Sequence, residues 1–340
     1  MILNSIVLVF YFLIFQFPSS HFPLCPYFPH LCRMSPKIPL ITILGPTAVG
    51  KTTFAAHLAS ELDAEIISAD SRQVFRGMDI GTGKDLADYS VEGKIIPAHL
   101  IDIAEPGTEY NVFQFQRDFQ VACDTIIAKG KTPLLCGGTG LYLESVLLGY
   151  NLVEVPENET LRLQLNELTN DELINRISSY RPLHNTTDTL DRERLIRAIE
   201  IESFKLQNRN QQLENDFSHS PVFGIRFDRK IVRERITARL TQRLNEGMLE
   251  EIQHLLNSGL TKDQLTFYGL EYKYVTLYLT GELTYNEMFR LLNTAIHQFA
   301  KRQMTWFRRM ENKGIKIYWL EGEEGLQKNL YKAINQLKSE

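Results

Sequence analysis

Cysteine is scarce in this chain, which has four cysteines in 340 residues. Their spacing fits neither a zinc quartet nor the framework of a disulfide-rich domain. Cys123 and Cys136 fall in apolar segments that predict a buried helix and a buried strand, whereas Cys25 and Cys32 lie near the N-terminus. We therefore expect a cytoplasmic protein, kept in a reducing compartment and without a structural metal.

The chain also lacks an excess of positive charge. Its 37 Lys and Arg residues against 41 Asp and Glu residues give a formal net charge of -4. This balance excludes a general cationic coat for nucleic acid, so binding to a polyanion would need a local basic surface. Internal repeats and low-complexity tracts are absent, and the length suits one large domain or two smaller ones.

The first 35 residues differ in composition from the rest of the chain, yet they match no membrane or export signal well. No basic residue precedes the apolar run 1–17, and that run is shorter than the roughly 20 residues of a spanning helix. Three explanations stay open: translation from upstream of a true start at Met34, a membrane anchor, or a targeting leader. We assign 1–35 to an extension outside the fold and expect no membrane association of the core.

One motif stands out after this extension. The segment Gly45-Pro46-Thr47-Ala48-Val49-Gly50-Lys51-Thr52 fits the phosphate-loop pattern G-x-x-x-x-G-K-[ST], and it lies between a predicted strand and a predicted helix. In such a loop, backbone N–H groups converge on phosphate oxygens, Lys51 adds a positive charge, and the Thr52 hydroxyl can ligate Mg²⁺. The alternative is a glycine turn that merely joins a strand to a helix. We expect all eight residues to bind a nucleotide or diphosphate, with Mg²⁺ as the cofactor.

The remaining pattern predicts an α/β fold. Strands are predicted at 41–44, 65–69, 100–103 and 132–136, with a helix at 112–129, and this alternation is typical of a parallel sheet between helices. Later helices are predicted at 161–168, 191–204, 229–256 and 284–309, with a loop at 205–220. The fold class is therefore a P-loop NTPase-like parallel sheet flanked by helices, with a helical insertion domain. Its predicted parts are a core at 36–150, the insertion at 151–205, and a helical C-terminal part at 206–340 that completes the core.

The loop alone does not name the reaction, because kinases, ATPases and several transferases share it. Hydrolytic members usually carry an aspartate after a buried strand, but the strand at 132–136 ends in Gly137-Gly138-Thr139-Gly140, which disfavours ATP hydrolysis. Asp70 follows the strand at 65–69 and is a candidate general base beside the loop. A helix cap and a Mg²⁺ ligand are the alternative roles for Asp70.

Six segments, in order, resemble the tRNA dimethylallyltransferase (tRNA isopentenyltransferase) family, and the resemblance covers residues 38 to about 309. One departure from the family is Gly83, which stands where alanine is frequent. The segments are GPTAVGKT at 45–52, SADSRQVFRGMDIGTGK at 68–84, HLID at 99–102, GGTGLY at 137–142, RLIRAIEI at 194–201 and AKRQMTWFR at 300–308.

The resemblance implies an enzyme that transfers a dimethylallyl group from its diphosphate to N6 of adenine 37 in tRNA and releases diphosphate. The phosphate loop would then hold the leaving group, so no phosphoryl group moves. The implied partners are the anticodon stem-loop of tRNA and dimethylallyl diphosphate. We expect a monomer without an obligate protein partner.

The resemblance also implies roles for individual residues. Asp70 would be the general base, and Thr47 would hydrogen-bond the donor diphosphate or its bridging oxygen. Arg235, Arg239 and Arg243 share one helix face, which by itself indicates either a solvated surface or a phosphate-binding one. By resemblance, Arg235 or Arg239 reaches the diphosphate. The residues implied in tRNA binding are Asp70, Ser71, Arg72, Gln73, Thr139, Arg162, Glu193, Arg194, Leu195, Ile196, Arg197, Lys301 and Arg302.

The segment 301–309 interleaves basic and aromatic residues near the C-terminus. We expect Phe299 and Trp306 to pack inward, because aromatic residues at helical spacing usually belong to a core. Lys301 and Arg302 would hold the RNA backbone and thereby position the substrate.

Three other functions remain possible from the sequence. The same prenyl transfer could use free AMP, ADP or ATP as the acceptor. A small-molecule kinase shares the strand, phosphate loop and helix, although it would need groups arranged around a γ-phosphate. A non-catalytic RNA-binding module could use the loop as a phosphate clamp.

Overall fold

The computed structural model describes residues 40–150, 152, 154–180, 192–207, 217 and 219–339. The predictions for 1–35, including Cys25, Cys32 and the start at Met34, lie outside these residues, as does most of the loop predicted at 205–220. What is described of that loop begins as helix, which continues to Gln207.

Six parallel strands form the main sheet, in the spatial order β5-β2-β6-β1-β7-β8. Leu44 and Ala69 both pair with Gly137, so β1, β2 and β6 end at the same level of the sheet. A separate antiparallel hairpin contains β3 and β4. The strands are β1 (Ile41–Leu44), β2 (Ala64–Ala69), β3 (Ser90–Val91), β4 (Lys94–Ile95), β5 (Ala98–His99), β6 (Thr132–Gly137), β7 (Val222–Arg226) and β8 (Ile317–Glu321).

Helices cover the sheet and extend beyond it. Two short 3₁₀ helices, Leu86–Tyr89 and Gly322–Glu324, lie between these elements. The α-helices are α1 (Lys51–Leu62), α2 (Val112–Ala128), α3 (Gly140–Leu147), α4 (Glu159–Asn166), α5 (Asn170–Tyr180), α6 (Arg192–Gln207), α7 (Arg229–Asn245), α8 (Met248–Asn257), α9 (Lys262–Phe267), α10 (Leu270–Leu279), α11 (Tyr285–Asn312) and α12 (Leu326–Ser339).

Both faces of the sheet are buried, which explains why its strands read as continuous apolar runs. Ile41 and Ile43 of β1 pack in one cluster with apolar residues of α1 and α12. Leu44 packs on the opposite face with residues of α2, α3 and the C-terminal half of α11. This arrangement confirms the predicted α/β class with a parallel sheet flanked by helices.

Two further apolar clusters lie away from the sheet. One joins α7, α8, α10 and α11 around Ile236, Leu240 and Tyr272. The other joins α4, α5 and α6 and contains Leu165 and Leu195. In the part of the chain that the structure describes, we find no helix with both the length and the apolarity to cross a membrane.

Three sequence predictions need correction. The strand predicted at 100–103 is not formed there: β5 comprises Ala98–His99 and ends before Leu100, because Leu100 and Asp102 adopt left-handed backbone conformations with φ of 62° and 55°. The helix predicted at 229–256 is divided into α7 and α8 at Gly247, where φ is 104°. The C-terminal part is not only helical, since β7 and β8 complete the sheet next to β1.

Candidate active site

A cavity of about 520 Å³ opens where β1, β2 and β6 end. The carboxyl ends of parallel strands are the usual place for ligands in such sheets, because the loops that follow converge there. The cavity is lined by residues from the phosphate loop, from the segment after β2, from the glycine-rich segment after β6, and from helices α7 and α11. Four of the six segments that the sequence singled out, 45–52, 68–84, 137–142 and 300–308, therefore meet at one site.

The phosphate loop has the backbone that its glycines permit. Gly50, which precedes α1, has a φ of 80°, and a Cβ on Gly45 would lie 2.6 Å from the carbonyl oxygen of Ile225 in β7. Lys51 Nζ donates a hydrogen bond to the carbonyl of Pro46 at 2.7 Å. Burial lowers the pKa of Lys51 to about 8, so its charge is incompletely solvated and available to an anion.

Asp70 lies directly after β2 and lines the same cavity as Lys51 and Thr52. Its Oδ1 accepts a hydrogen bond from the backbone N–H of Arg72 at 2.9 Å, which fixes the carboxylate in a turn. Among the hydrogen bonds of the described residues, this is the one that Asp70 makes. The carboxylate therefore has a fixed orientation and retains acceptor capacity toward the cavity.

The residues after Asp70 form a connected polar wall. The backbone N–H of Ser71 donates to Thr139 Oγ1 at 3.1 Å, which joins the segments after β2 and β6. Arg72 Nη1 donates to the carbonyl of Phe267 at 3.0 Å. Gln73 accepts from the hydroxyl of Ser68 and donates to the carbonyl of Gly83, both at 3.1 Å. All four of the predicted tRNA-contacting residues 71–73 and Thr139 line the cavity.

The arginines of α7 divide in a way that the sequence did not predict. Arg239 lines the cavity and pairs with Asp85. In the described structure Arg235 is not part of the cavity wall. Its Nε donates to the carbonyl of Ala48 at 2.7 Å, and its guanidinium lies 4.8 Å from the ring centre of Phe227. Arg243, one turn beyond Arg239, does line the cavity.

This distribution distinguishes the two arginines that were predicted as alternatives, and diphosphate contact by Arg235 or Arg239 stays a prediction. Arg235 supports the phosphate loop, because its guanidinium donates to the carbonyl of Ala48 and lies over the ring of Phe227. The arginine pair on the cavity is Arg239 and Arg243. The four-residue spacing places the three arginines on one helix face but does not show which of them face the cavity. That depends on where the phosphate loop lies relative to α7.

The predicted contacts in the helical insertion lie away from the cavity. Leu195 and Ile196 are buried in the apolar cluster of α4 to α6, so their side chains pack within the insertion, and tRNA contact at these positions stays a prediction. Arg162 and Arg197 both pair with the buried carboxylate of Glu200. These two arginines hold the insertion together, whereas Glu193 and Arg194 are exposed on α6.

The C-terminal basic segment reaches the cavity through α11. Lys301 is exposed, and Arg302 lines the cavity, with its guanidinium 6.0 Å from the ring centre of Phe299. The expectation of inward packing is wrong for Phe299, which lines the cavity and is 38% exposed. Trp306 also lines the cavity, but it is partly buried and packs against the apolar cluster that contains Leu44. The aromatic residue of this segment that is fully buried is Phe307.

Gln303 is a site residue that the sequence did not single out. Its Oε1 accepts from the backbone N–H of Thr47 at 2.9 Å, and its Nε2 donates to the carbonyl of Gly138 at 2.9 Å. The signal for it was weak, because a lone glutamine in a basic helix has no motif of its own. It is nevertheless polar and almost fully buried, which a purely structural helix position seldom requires.

The family comparisons agree with this geometry. The family model described as IPP transferase matches residues 73–310, and the model described as isopentenyl transferase matches residues 38–93. The chain is 56% identical over 303 residues to tRNA dimethylallyltransferase 2 of Bacteroides fragilis, which covers 89% of this chain and 99% of that protein. It is 57% identical over 284 residues to tRNA dimethylallyltransferase 1 of Azobacteroides pseudotrichonymphae, covering 83% of this chain and 92% of the relative.

A solved structure shows the same fold. The tRNA isopentenylpyrophosphate transferase of Bacillus halodurans superposes with a TM-score of 0.65 and is 32% identical, with 88% of this chain and 95% of that chain covered. The match includes both the sheet and the helices that follow it. With a family model over more than half of its length and relatives above 50% identity across most of theirs, the chain belongs to the IPP transferase family.

Proposed function

We propose that this chain transfers the dimethylallyl group of dimethylallyl diphosphate to N6 of adenine 37 in tRNA and releases diphosphate. The observation that carries the proposal is that Asp70, Lys51 and Thr52 open onto one cavity. An anion-binding loop and a fixed carboxylate in one cavity suit a reaction in which an anion leaves and a nucleophile loses a proton.

In the proposed reaction, the N6 amine attacks the allylic carbon of the donor. The carbon–oxygen bond to diphosphate breaks, its electron pair leaves with the diphosphate, and Asp70 accepts the proton that N6 loses. Lys51, Arg239 and the N–H groups of the phosphate loop stabilise the charge that develops on the leaving oxygens. Thr47, whose own N–H is bound to Gln303, presents its hydroxyl to the same diphosphate.

The residues present fit a Mg²⁺ ion. Thr52 follows Lys51 at the start of α1 and lines the cavity, so its hydroxyl supplies a hard oxygen ligand beside the proposed diphosphate site. Phosphate oxygens of the donor would supply further ligands. When bound, Mg²⁺ neutralises part of the charge on the diphosphate.

A base stacked in an RNA loop cannot reach a recessed donor, so the target adenine has to be turned out into the cavity. The polar wall of Ser71, Gln73 and Thr139 is the part that would face it. Arg302 on the cavity and Lys301 beside it would contact the backbone of the anticodon stem-loop. We also propose that the enzyme is cytoplasmic and acts on tRNA as a single chain, without an obligate protein partner.

The curated relatives are named for tRNA, which favours this acceptor over free AMP, ADP or ATP. The decisive experiment offers the purified protein tRNA and AMP together, with Mg²⁺ and labelled dimethylallyl diphosphate. Mass spectrometry of the digested tRNA should show dimethylallyl adenosine at position 37 and little labelled AMP. Label on AMP alone, or an unmodified tRNA profile, would contradict the proposal.

A further inference from the structure

The guanidinium of Arg243 packs directly on the backbone of Gly83, where a Cβ would otherwise lie. A Cβ built on Gly83 would lie 1.8 Å from Arg243 Nη2 and 2.7 Å from its Cζ. The guanidinium therefore occupies the space in which any other residue would carry its side chain. The side chain of Arg243 is only 11% exposed, so the contact belongs to the cavity wall and not to the protein surface.

Arg243 and Arg239 both line the cavity, and the charged groups around them differ in part. Electrostatically, Arg243 is coupled to Glu271 and Asp70, which both line the cavity. Arg239 is coupled to Lys51 and also to Glu271. The two arginines share Asp85, whose Oδ2 lies 3.8 Å from Arg243 Nη2 and accepts a hydrogen bond from Arg239. Arg243 thus lines the same cavity as the proposed base, Asp70, and is electrostatically coupled to it.

Gly83 is also the hydrogen-bond partner of Gln73. The carbonyl of Gly83 accepts from Gln73 Nε2, and the hydroxyl of Ser68 donates to Gln73 Oε1, both at 3.1 Å. These two bonds fix which end of the amide is the donor and which is the acceptor. Each end keeps one further hydrogen-bonding position, since an amide has two N–H donors and two lone pairs on its oxygen.

The segment that carries Gly83 is held on its other side by Lys84. The buried ammonium of Lys84 donates to Asp79 Oδ1 at 2.9 Å and also bonds the carbonyl of Phe75 and the carboxylate of Asp102. The bonds of Lys84 restrain this backbone segment on one side, and Arg243 packs against its other side. Together these contacts set the position of the Gly83 carbonyl.

We propose that Arg243 is a positioning residue for the acceptor nucleotide. By packing on Gly83, Arg243 fixes the carbonyl that orients the side-chain amide of Gln73. That amide then hydrogen-bonds to the edge of the adenine. This inference rests on the proposed function, because it takes the adenine of tRNA as the group that enters the cavity beside Gln73.

The test compares four variants of the full chain in steady-state prenyl transfer, with tRNA and dimethylallyl diphosphate varied separately. Arg243→Met keeps the unbranched stem and removes the guanidinium. Gly83→Ala expels the guanidinium without changing the arginine. Gly77→Ala is the matched control, because Gly77 has a φ of 67°, close to the 71° of Gly83, yet a Cβ there would meet nothing within 4 Å. The fourth variant combines Arg243→Met with Gly83→Ala.

We expect Arg243→Met and Gly83→Ala each to lower kcat/KM for tRNA by about tenfold, the loss of one well-placed hydrogen bond, with KM for the donor changed less than about twofold. The double variant should be no worse than Arg243→Met, since the alanine methyl fills the space that the guanidinium left. Gly77→Ala should match the wild type.

Three results would overturn the inference: Gly83→Ala behaving like Gly77→Ala, additive losses in the double variant, or a rise in KM for the donor instead of tRNA. If Gly83→Ala fails to fold, Arg243→Lys tests the inference in its place. Lysine keeps the positive charge but lacks the planar group that packs on Gly83. Arg243→Lys should be as impaired as Arg243→Met, and wild-type kinetics in it would refute the role. Failure of the proposed function is a separate result, seen as no modification of tRNA by the wild-type protein.

Discussion

The side chain of Gln303 accepts a hydrogen bond from the backbone N–H of Thr47 at 2.9 Å, across 256 positions of sequence. Through its other end, which donates to Gly138, Gln303 links the phosphate loop to the segment after β6. A residue on the last long helix thereby sets the shape of a loop near the start of the core.

Replacement of Gln303 by leucine should therefore weaken donor binding. The change leaves the N–H of Thr47 and the carbonyl of Gly138 without their partner, and each buried group left unpaired costs about 1–3 kcal/mol. We expect kcat/KM for dimethylallyl diphosphate to fall by about 10- to 100-fold. Gln298→Leu, an exposed glutamine on the same helix, is the control. Equal kinetics for the two variants would show that Gln303 does not shape the loop.

Arg235 and Arg239 should respond differently to removal of their charge. Arg239→Met takes a cation from the cavity wall, so we expect kcat/KM for the donor to drop by about 100-fold with an unchanged melting temperature. Arg235→Met removes the support of Ala48 and the contact with Phe227, so it should lower the melting temperature as well as activity. Donor titration and thermal unfolding of both variants check this, and a stable, inactive Arg235→Met would argue for direct contact with diphosphate.

Glu65 gives the fold a predictable dependence on pH. Burial opposes its ionisation, but hydrogen bonds from Lys129, His99 and Lys131 prevail and lower its pKa from 4.5 to about 2. A carboxyl with a depressed pKa in the folded state stabilises the fold above its unfolded pKa, and this contribution disappears as the pH falls toward 2. The shift corresponds to about 3 kcal/mol at pH 7, as an order of magnitude.

Urea unfolding of Glu65→Gln should thus show a large loss of stability at pH 7 that shrinks to less than about half at pH 3. Glu282→Gln is the control, because Glu282 is an exposed carboxylate paired with Lys262, and surface pairs of this kind contribute little. A loss in Glu65→Gln that stayed constant with pH would mean that packing, and not the charge of Glu65, stabilises this end of β2.

The sequence predicted the parts of the site that lie within one motif. The phosphate loop and Asp70 follow strands whose ends are marked by local pattern, so their meeting at one edge of the sheet follows from parallel pairing. The strand β7 was missed because Val222–Arg226 is short and stands among helices. The roles of Arg243 and Gln303 depend on how α7 and α11 pack in the tertiary structure, and no local pattern carries that information.

The central claim is that Asp70 removes the proton from the acceptor amine, and Asp70→Asn tests it directly. The asparagine keeps an Oδ1 that accepts from the N–H of Arg72, so the turn is preserved while the base is lost. We predict that the single-turnover rate of prenyl transfer to tRNA falls by about 100-fold or more, with tRNA and donor affinities within about threefold of the wild type. A rate close to that of the wild type would contradict the account.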